Sequence, residues 1–250
     1  MVAKILIIAN KMTLKLKIVY LFNLLLLNVF CFGQTKSLAE EAITLENFNF
    51  NTKIEVLIPE KYRDESDTDY ESYRFSSRNG SPNSFTKNTI FIDENNPKKG
   101  IIRTEFYQTV SSNRNTAAAF KNQTFNRVSF VLDQNNQIYV VCAVAMIVTE
   151  KEQKDLLKQL NDNYGQYKKY KGKSTGNYYV YEWQTKDKII RYSSVFVDGN
   201  DIIEKHLVDE EHPEMVPEKK SRFEGYFYLI KKQKIKDTKN LEMSDFNFIN

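Results

Sequence analysis

The run from Ile138 to Val148, Ile-Tyr-Val-Val-Cys-Ala-Val-Ala-Met-Ile-Val, constrains the fold more than any other stretch of this chain. Almost every position in it is apolar. A strand with apolar side chains on both faces belongs in the middle of a sheet that is covered on both sides. Cys142 is therefore expected in the core. Just upstream, Val128, Phe130 and Leu132 alternate as a strand with one buried face, and Gln134-Asn135-Asn136 supplies the turn between the two.

The helix signal follows at once. Thr149 and Glu152 form a Thr-x-x-Glu capping box, and Leu156, Leu157, Leu160 and Tyr164 fall on one stripe, with Gly165 as the stop. This predicts an amphipathic helix over about residues 150–163, packed on the sheet that contains Ile138 to Val148. Tyr178 to Trp183 and Ile189 to Val197 read as a hairpin around Lys186-Asp187, and Asp198-Gly199 is a tight-turn signal leading into Ile202 and Ile203. Phe223 to Ile230 closes the sheet after a loop from Asp209 to Ser221 that carries Pro213 and Pro217.

Nearer the start, Ile54, Val56 and Ile58 alternate with Lys53 and Glu55 and stop at Pro59, which predicts another strand. Tyr70 to Phe75, Thr89 to Ile92 and Ile101 to Tyr107 repeat the pattern, and Asn113 to Phe120 reads as a short helix or a connector. The fold class is α+β, a mostly antiparallel sheet with one well-defined amphipathic helix. Residues 34–250 are expected to form a single secreted domain, with two lobes, 53–110 and 126–231, as the alternative arrangement.

The first 33 residues read as an export signal. Lys15 and Lys17 lead into an apolar run from Ile18 to Phe32, followed by Gly33 and a switch to polar sequence at Gln34. The run falls short of the roughly 20 residues that span a bilayer, Asn23 and Asn28 interrupt it, and no basic stop follows Gly33. Cleavage is therefore favoured over a membrane anchor, and Met12 is an alternative start. Lipidation of Cys31 is disfavoured because Phe30 stands where a lipobox has a small residue. The ending Phe32-Gly33-Gln34-Thr35 resembles leaders of exported Bacteroidetes proteins. That resemblance covers the leader alone and implies a periplasmic or extracellular location. Tyr164-Gly165 after the helix and Tyr181-Glu182-Trp183 in the next strand resemble many small exported bacterial proteins, a likeness that carries no known site.

Of the 36 Lys and Arg residues, Lys4, Lys11, Lys15 and Lys17 lie in the leader, which holds none of the 32 acidic residues. The remainder is formally neutral, so the electrostatic case for nucleic acid or an anionic membrane disappears with the leader. Membrane association is expected only if the leader is uncleaved or lipidated. One cysteine, Cys142, remains after it, so stability must come from the core rather than from a disulfide.

Three clusters carry candidate chemistry. His206 and His212, the two histidines of the chain, flank Asp209, Glu210 and Glu211 and together with Glu214 offer nitrogen and oxygen donors that suit zinc; a solvated acidic loop is the plainer reading of that spacing. Asp64, Asp67, Asp69 and Glu71 offer hard oxygen ligands for calcium, but no glycine stands where a calcium loop makes its sharp turn. The third cluster interleaves Tyr164, Tyr167, Lys168, Lys169, Tyr170, Lys171 and Lys173 and runs into Tyr178 and Tyr179. It reads as an exposed loop able to hold an acidic partner protein or a glycan, tyrosine being favoured where area must be covered at small entropic cost. Ser84-Phe85-Thr86-Lys87 fits Ser-x-x-Lys, yet without companion motifs and in a stretch that reads as a turn.

The chain shows no His-Glu-x-x-His, Gly-x-Ser-x-Gly, phosphate loop or Cys-x-x-Cys. The expectation is an exported binding module without cofactor, an adaptor, inhibitor or protective partner of another envelope or secreted protein, with Tyr167, Lys168, Lys169 and Tyr170 as the binding residues. A periplasmic hydrolase whose groups converge only in the fold, and a membrane-anchored structural protein, are the alternatives.

Overall fold

The computed structural model describes residues 36–111, 114–174, 177–198, 221–241 and 244–250. Its elements, in chain order, are β1 (Ile43–Thr44), α1 (Ile54–Leu57), β2 (Glu71–Ser76), β3 (Pro82–Phe91), β4 (Ile101–Val110), β5 (Ala118–Phe120), β6 (Gln123–Phe125), β7 (Arg127–Asp133), β8 (Ile138–Ala145), α2 (Glu150–Tyr164), β9 (Lys168–Lys171), β10 (Tyr179–Gln184), β11 (Lys188–Val197) and β12 (Arg222–Lys231). Nine strands form one antiparallel sheet in the order β2-β3-β4-β7-β8-β12-β11-β10-β9, and β1, β5 and β6 form a small second sheet. β4 pairs with β7 from Arg103↔Asp133 to Tyr107↔Ser129, so strands from both halves of the chain share the large sheet.

The sheet is covered on both faces, as its central strand demands. Every residue of β8 is buried. On one face Val141, Ala143 and Ala145 meet Phe227, Leu229, Leu156, Leu160, Phe120, Phe125 and the amino-terminal residues Ile43, Leu45, Ile54 and Leu57. On the other, Val140, Cys142 and Val144 meet Tyr226, Tyr228, Ile230 and the carboxy-terminal residues Leu241, Phe246 and Ile249. Burying a large apolar side chain contributes about 1.5–3 kcal/mol, so these two layers supply the main stabilisation. Among the described residues, no helix is long and apolar enough to cross a membrane.

The capping box forms: the Thr149 side chain accepts from the Glu152 amide, and Glu152 accepts in return from the Thr149 amide at 2.8 Å. Gly165 ends α2 at φ 83°, a left-handed conformation that glycine adopts without penalty. The Lys186-Asp187 hairpin joins β10 to β11, and Asn136, at φ 57°, completes the turn into β8.

Three expectations are corrected. Ile54 to Ile58 is not a strand: Ile54, Leu57 and Ile58 are the buried positions, a spacing of three and four that winds one helical turn and turns Glu55 outward. Ala118 to Phe120 is neither helix nor irregular connector but β5, held between β6 and a parallel partner in β1. Ser84 to Lys87 lies inside β3 rather than in a turn, where residues three apart point to opposite faces, and Lys87 is taken up by Glu71 at 2.8 Å.

Candidate binding rim at the β9 edge

α2 delivers the chain to the edge of the sheet. Its last turn is fastened by Trp183, whose indole donates to the Asn161 side chain and to the Gly165 carbonyl, each at 3.0 Å. Residues 168–171 then pair antiparallel with β10, in register from Lys168↔Glu182 to Lys171↔Tyr179. The segment expected to be a loop is thus the outermost strand. Lys168 and Lys169 are exposed as expected, whereas Tyr167 and Tyr170 are half-buried.

The alternation of a strand splits this cluster between two faces. On the α2 face, Tyr167 stands edge-on to Tyr181 and Trp183 at centroid distances of 4.9 and 5.6 Å, and the Lys169 ammonium lies 4.1 Å from the Tyr179 ring centre and 5.4 Å from that of Tyr181. This is cation–π geometry, which restrains a lysine that would otherwise sweep through solvent. On the opposite face, the Tyr170 hydroxyl donates to Glu182 Oε2 at 3.3 Å, and Arg191 reaches the same oxygen at 2.9 Å from Nε. Arg191 also donates to the Ile249 carbonyl at 2.7 Å, tying the carboxy-terminal segment to the sheet.

The electrostatics follow from these contacts. Burial works against a charge on Glu182, but the Gln184 amide and the Arg191 guanidinium outweigh it and hold the carboxyl below its usual range. Burial, reinforced by Glu182 against the opposing Arg191, pushes Tyr170 up to about 12, so its hydroxyl stays a donor at neutral pH. The three exposed lysines of β9, Lys168, Lys169 and Lys171, have no ion-pair partner among the described residues.

The remaining candidates do not assemble. Asp67 spends one oxygen on the amides of Asp69 and Tyr70, at 3.3 and 3.1 Å, which makes it a turn former, and Asp64 is engaged by Ser66 and Arg74. Among the described residues no group of three or more His, Cys, Asp or Glu side chains is arranged to hold a metal ion. His206 and His212 lie outside the described residues. Cys142 is buried beneath the carboxy-terminal segment, and burial pushes its thiol well up, the opposite of what a nucleophile needs.

Sequence reasoning missed one polar cluster. Asp245 accepts from Arg127 Nη2 at 2.6 Å and from the Ser129 hydroxyl at 2.5 Å, and its carbonyl accepts from Tyr228 and Cys142 at 2.8 and 3.3 Å. These residues are more than 100 positions apart along the chain in three of the four contacts, so no local spacing signals them. With both Asp245 carboxylate oxygens and its carbonyl engaged, the cluster is a latch for the carboxy-terminal segment rather than a site. No family model, curated protein or solved structure matches the chain.

Proposed function

We propose that this chain is an exported binding module, an adaptor, inhibitor or protective partner of a cell-envelope or secreted protein, and that it engages that partner through the rim formed by Tyr167, Lys168, Lys169, Tyr170 and Lys171. The observation that carries the reading is the Lys169 ammonium held 4.1 Å over Tyr179, between exposed lysines that have no ion-pair partner among the described residues, on the outermost described strand of the sheet. Positive charge is fixed there on an aromatic base, and no carboxylate among the described residues pairs with it. Export rests on the leader pattern of residues 15–34.

Because Tyr167 packs on Trp183 and Tyr170 on Glu182, replacing the tyrosines would disturb the sheet as well as the rim. The informative variant is Lys168→Ser with Lys169→Ser, which removes the charges from exposed positions. Affinity capture from the source organism's envelope and medium, quantified for wild type and variant at equal folded protein, is expected to lose its dominant partner in the variant. Retention of the same partner at the same yield would remove this rim as the binding surface.

A further inference from the structure

We propose that the outer edge of β9 takes up an extended segment of the partner as an additional antiparallel strand, and that this segment carries carboxylates at alternate positions facing Lys169 and Lys171. The inference rests on the reading of the rim as the binding surface and adds how the partner is held and what chemistry it presents.

The large sheet has two ends, and they are treated differently. At the β2 end, Arg63 bridges to Tyr73 and the Asp64 amide donates to the Ser72 carbonyl at 2.8 Å, so the chain itself covers that edge. At the β9 end, no described strand lies outside Lys168–Lys171. An antiparallel strand sends the amides and carbonyls of alternate residues to its free side, which makes an uncovered edge a template for pairing.

The side chains narrow what can pair there. Lys169 and Lys171 share the α2 face and Lys168 points to the other, all exposed and in no ion pair among the described residues. A second copy of this chain fits badly, since β9 against β9 would bring lysines opposite lysines, and like charges directly opposite destabilise a pair. Neutral strands leave the lysines uncompensated, which is how natural edges resist indiscriminate pairing. A strand with acidic residues at every second position turns the same lysines into cross-strand partners, so one device both rejects and selects. Lys169, already restrained over Tyr179 and Tyr181, loses little further freedom on binding.

The test uses the purified protein and a fluorescein-labelled octapeptide of alternating valine and glutamate, with binding read by anisotropy. Two further peptides are N-methylated at alternate backbone amides, one in each phase. Strand addition predicts that methylation in one phase weakens binding about tenfold or more while the other phase changes it by less than about twofold. Lys169→Glu with Lys171→Glu is expected to weaken the glutamate peptide by about tenfold, and an alternating valine and lysine peptide should recover binding on that variant. Equal effects of the two methylation phases, or equal binding of a sulfated polysaccharide and of the peptide, would overturn strand addition. The rim would then stand as a charged patch, provided partner capture still depends on Lys168 and Lys169. Absence of binding by the glutamate peptide also overturns the inference, and loss of that dependence sinks the rim itself.

Discussion

Replacing Asp245 by alanine is expected to loosen the carboxy-terminal segment and to destabilise the whole domain. Asp245 is 3% exposed and receives two short hydrogen bonds, from Arg127 at 2.6 Å and Ser129 at 2.5 Å. A hydrogen bond to a charged group contributes about 1.5–3 kcal/mol, and removing one partner of a buried ion pair costs about 3–5 kcal/mol because the other charge is left uncompensated. The Arg127 side chain retains 23% exposure, so water can replace part of what it loses. The net cost is therefore about 2–4 kcal/mol. For a domain of this size, with a urea m-value of about 2–3 kcal/mol per molar, the midpoint should fall by about 1 M. Asp245→Asn, which keeps the shape and an acceptor, should lose about half as much.

Two probes separate local from global effects. The single tryptophan, Trp183, is buried on the α2 face and reports unfolding of the domain. Cys142 lies on the opposite face beneath Asp245, and its labelling rate in a Cys31→Ser background reports detachment of the segment. Labelling should accelerate more steeply than the fluorescence midpoint falls. An unchanged midpoint together with unchanged labelling in Asp245→Ala would refute the latch.

Two further outcomes are expected. A Cβ on Gly225 would stand 2.9 Å from both the Tyr192 hydroxyl and Val148 Cγ2, so Gly225→Ala should cost about 1–3 kcal/mol in thermal or chemical unfolding. Tyr192→Phe should relieve part of that cost, and strict additivity of the pair would argue against the close approach. Because the folded-state pKa of Glu182 is depressed, its charge stabilises the fold above its unfolded value of about 4.3, and that contribution fades as pH falls through the folded value. Glu182→Gln should therefore flatten the acid limb of stability measured from pH 7 to 3, and parallel curves for variant and wild type would contradict the argument.

The parts legible in the sequence were those whose signals are local. β8 declares itself by an apolar run, α2 by a capping box and a stripe of leucines, and the β10–β11 hairpin by its Lys186-Asp187 turn. β9 was hidden because Lys-Lys-Tyr-Lys has the composition of a solvated loop, and it becomes a strand only through pairing with Tyr179 to Glu182. The alternation of Ile54, Val56 and Ile58 misled because Leu57, between them, is buried as well and shifts the period to that of a helix. Of the rim, the residue types were readable, but the edge position of β9 and the distribution of its side chains between two faces were not. The Asp245 latch joins β7, β8 and β12 to the carboxy-terminal segment, so it exists only once all four are assembled.

The strand order also dictates when the sheet can close. β12 follows every other described strand of the sheet in chain order yet lies between β8 and β11, so the latest-made of these strands is inserted near the centre of the sheet. Before residues 222–231 arrive, β2-β3-β4-β7-β8 and β11-β10-β9 are two separate ribbons, and the uncovered margin of the first is Ile-Tyr-Val-Val-Cys-Ala-Val-Ala. That sequence is β-branched, uncharged and free of proline, the profile of a segment that stacks on its own kind. The nascent chain therefore carries its greatest self-association hazard in the interval between the emergence of β8 and the insertion of β12, and the keystone that ends the hazard is the strand that joins the two ribbons.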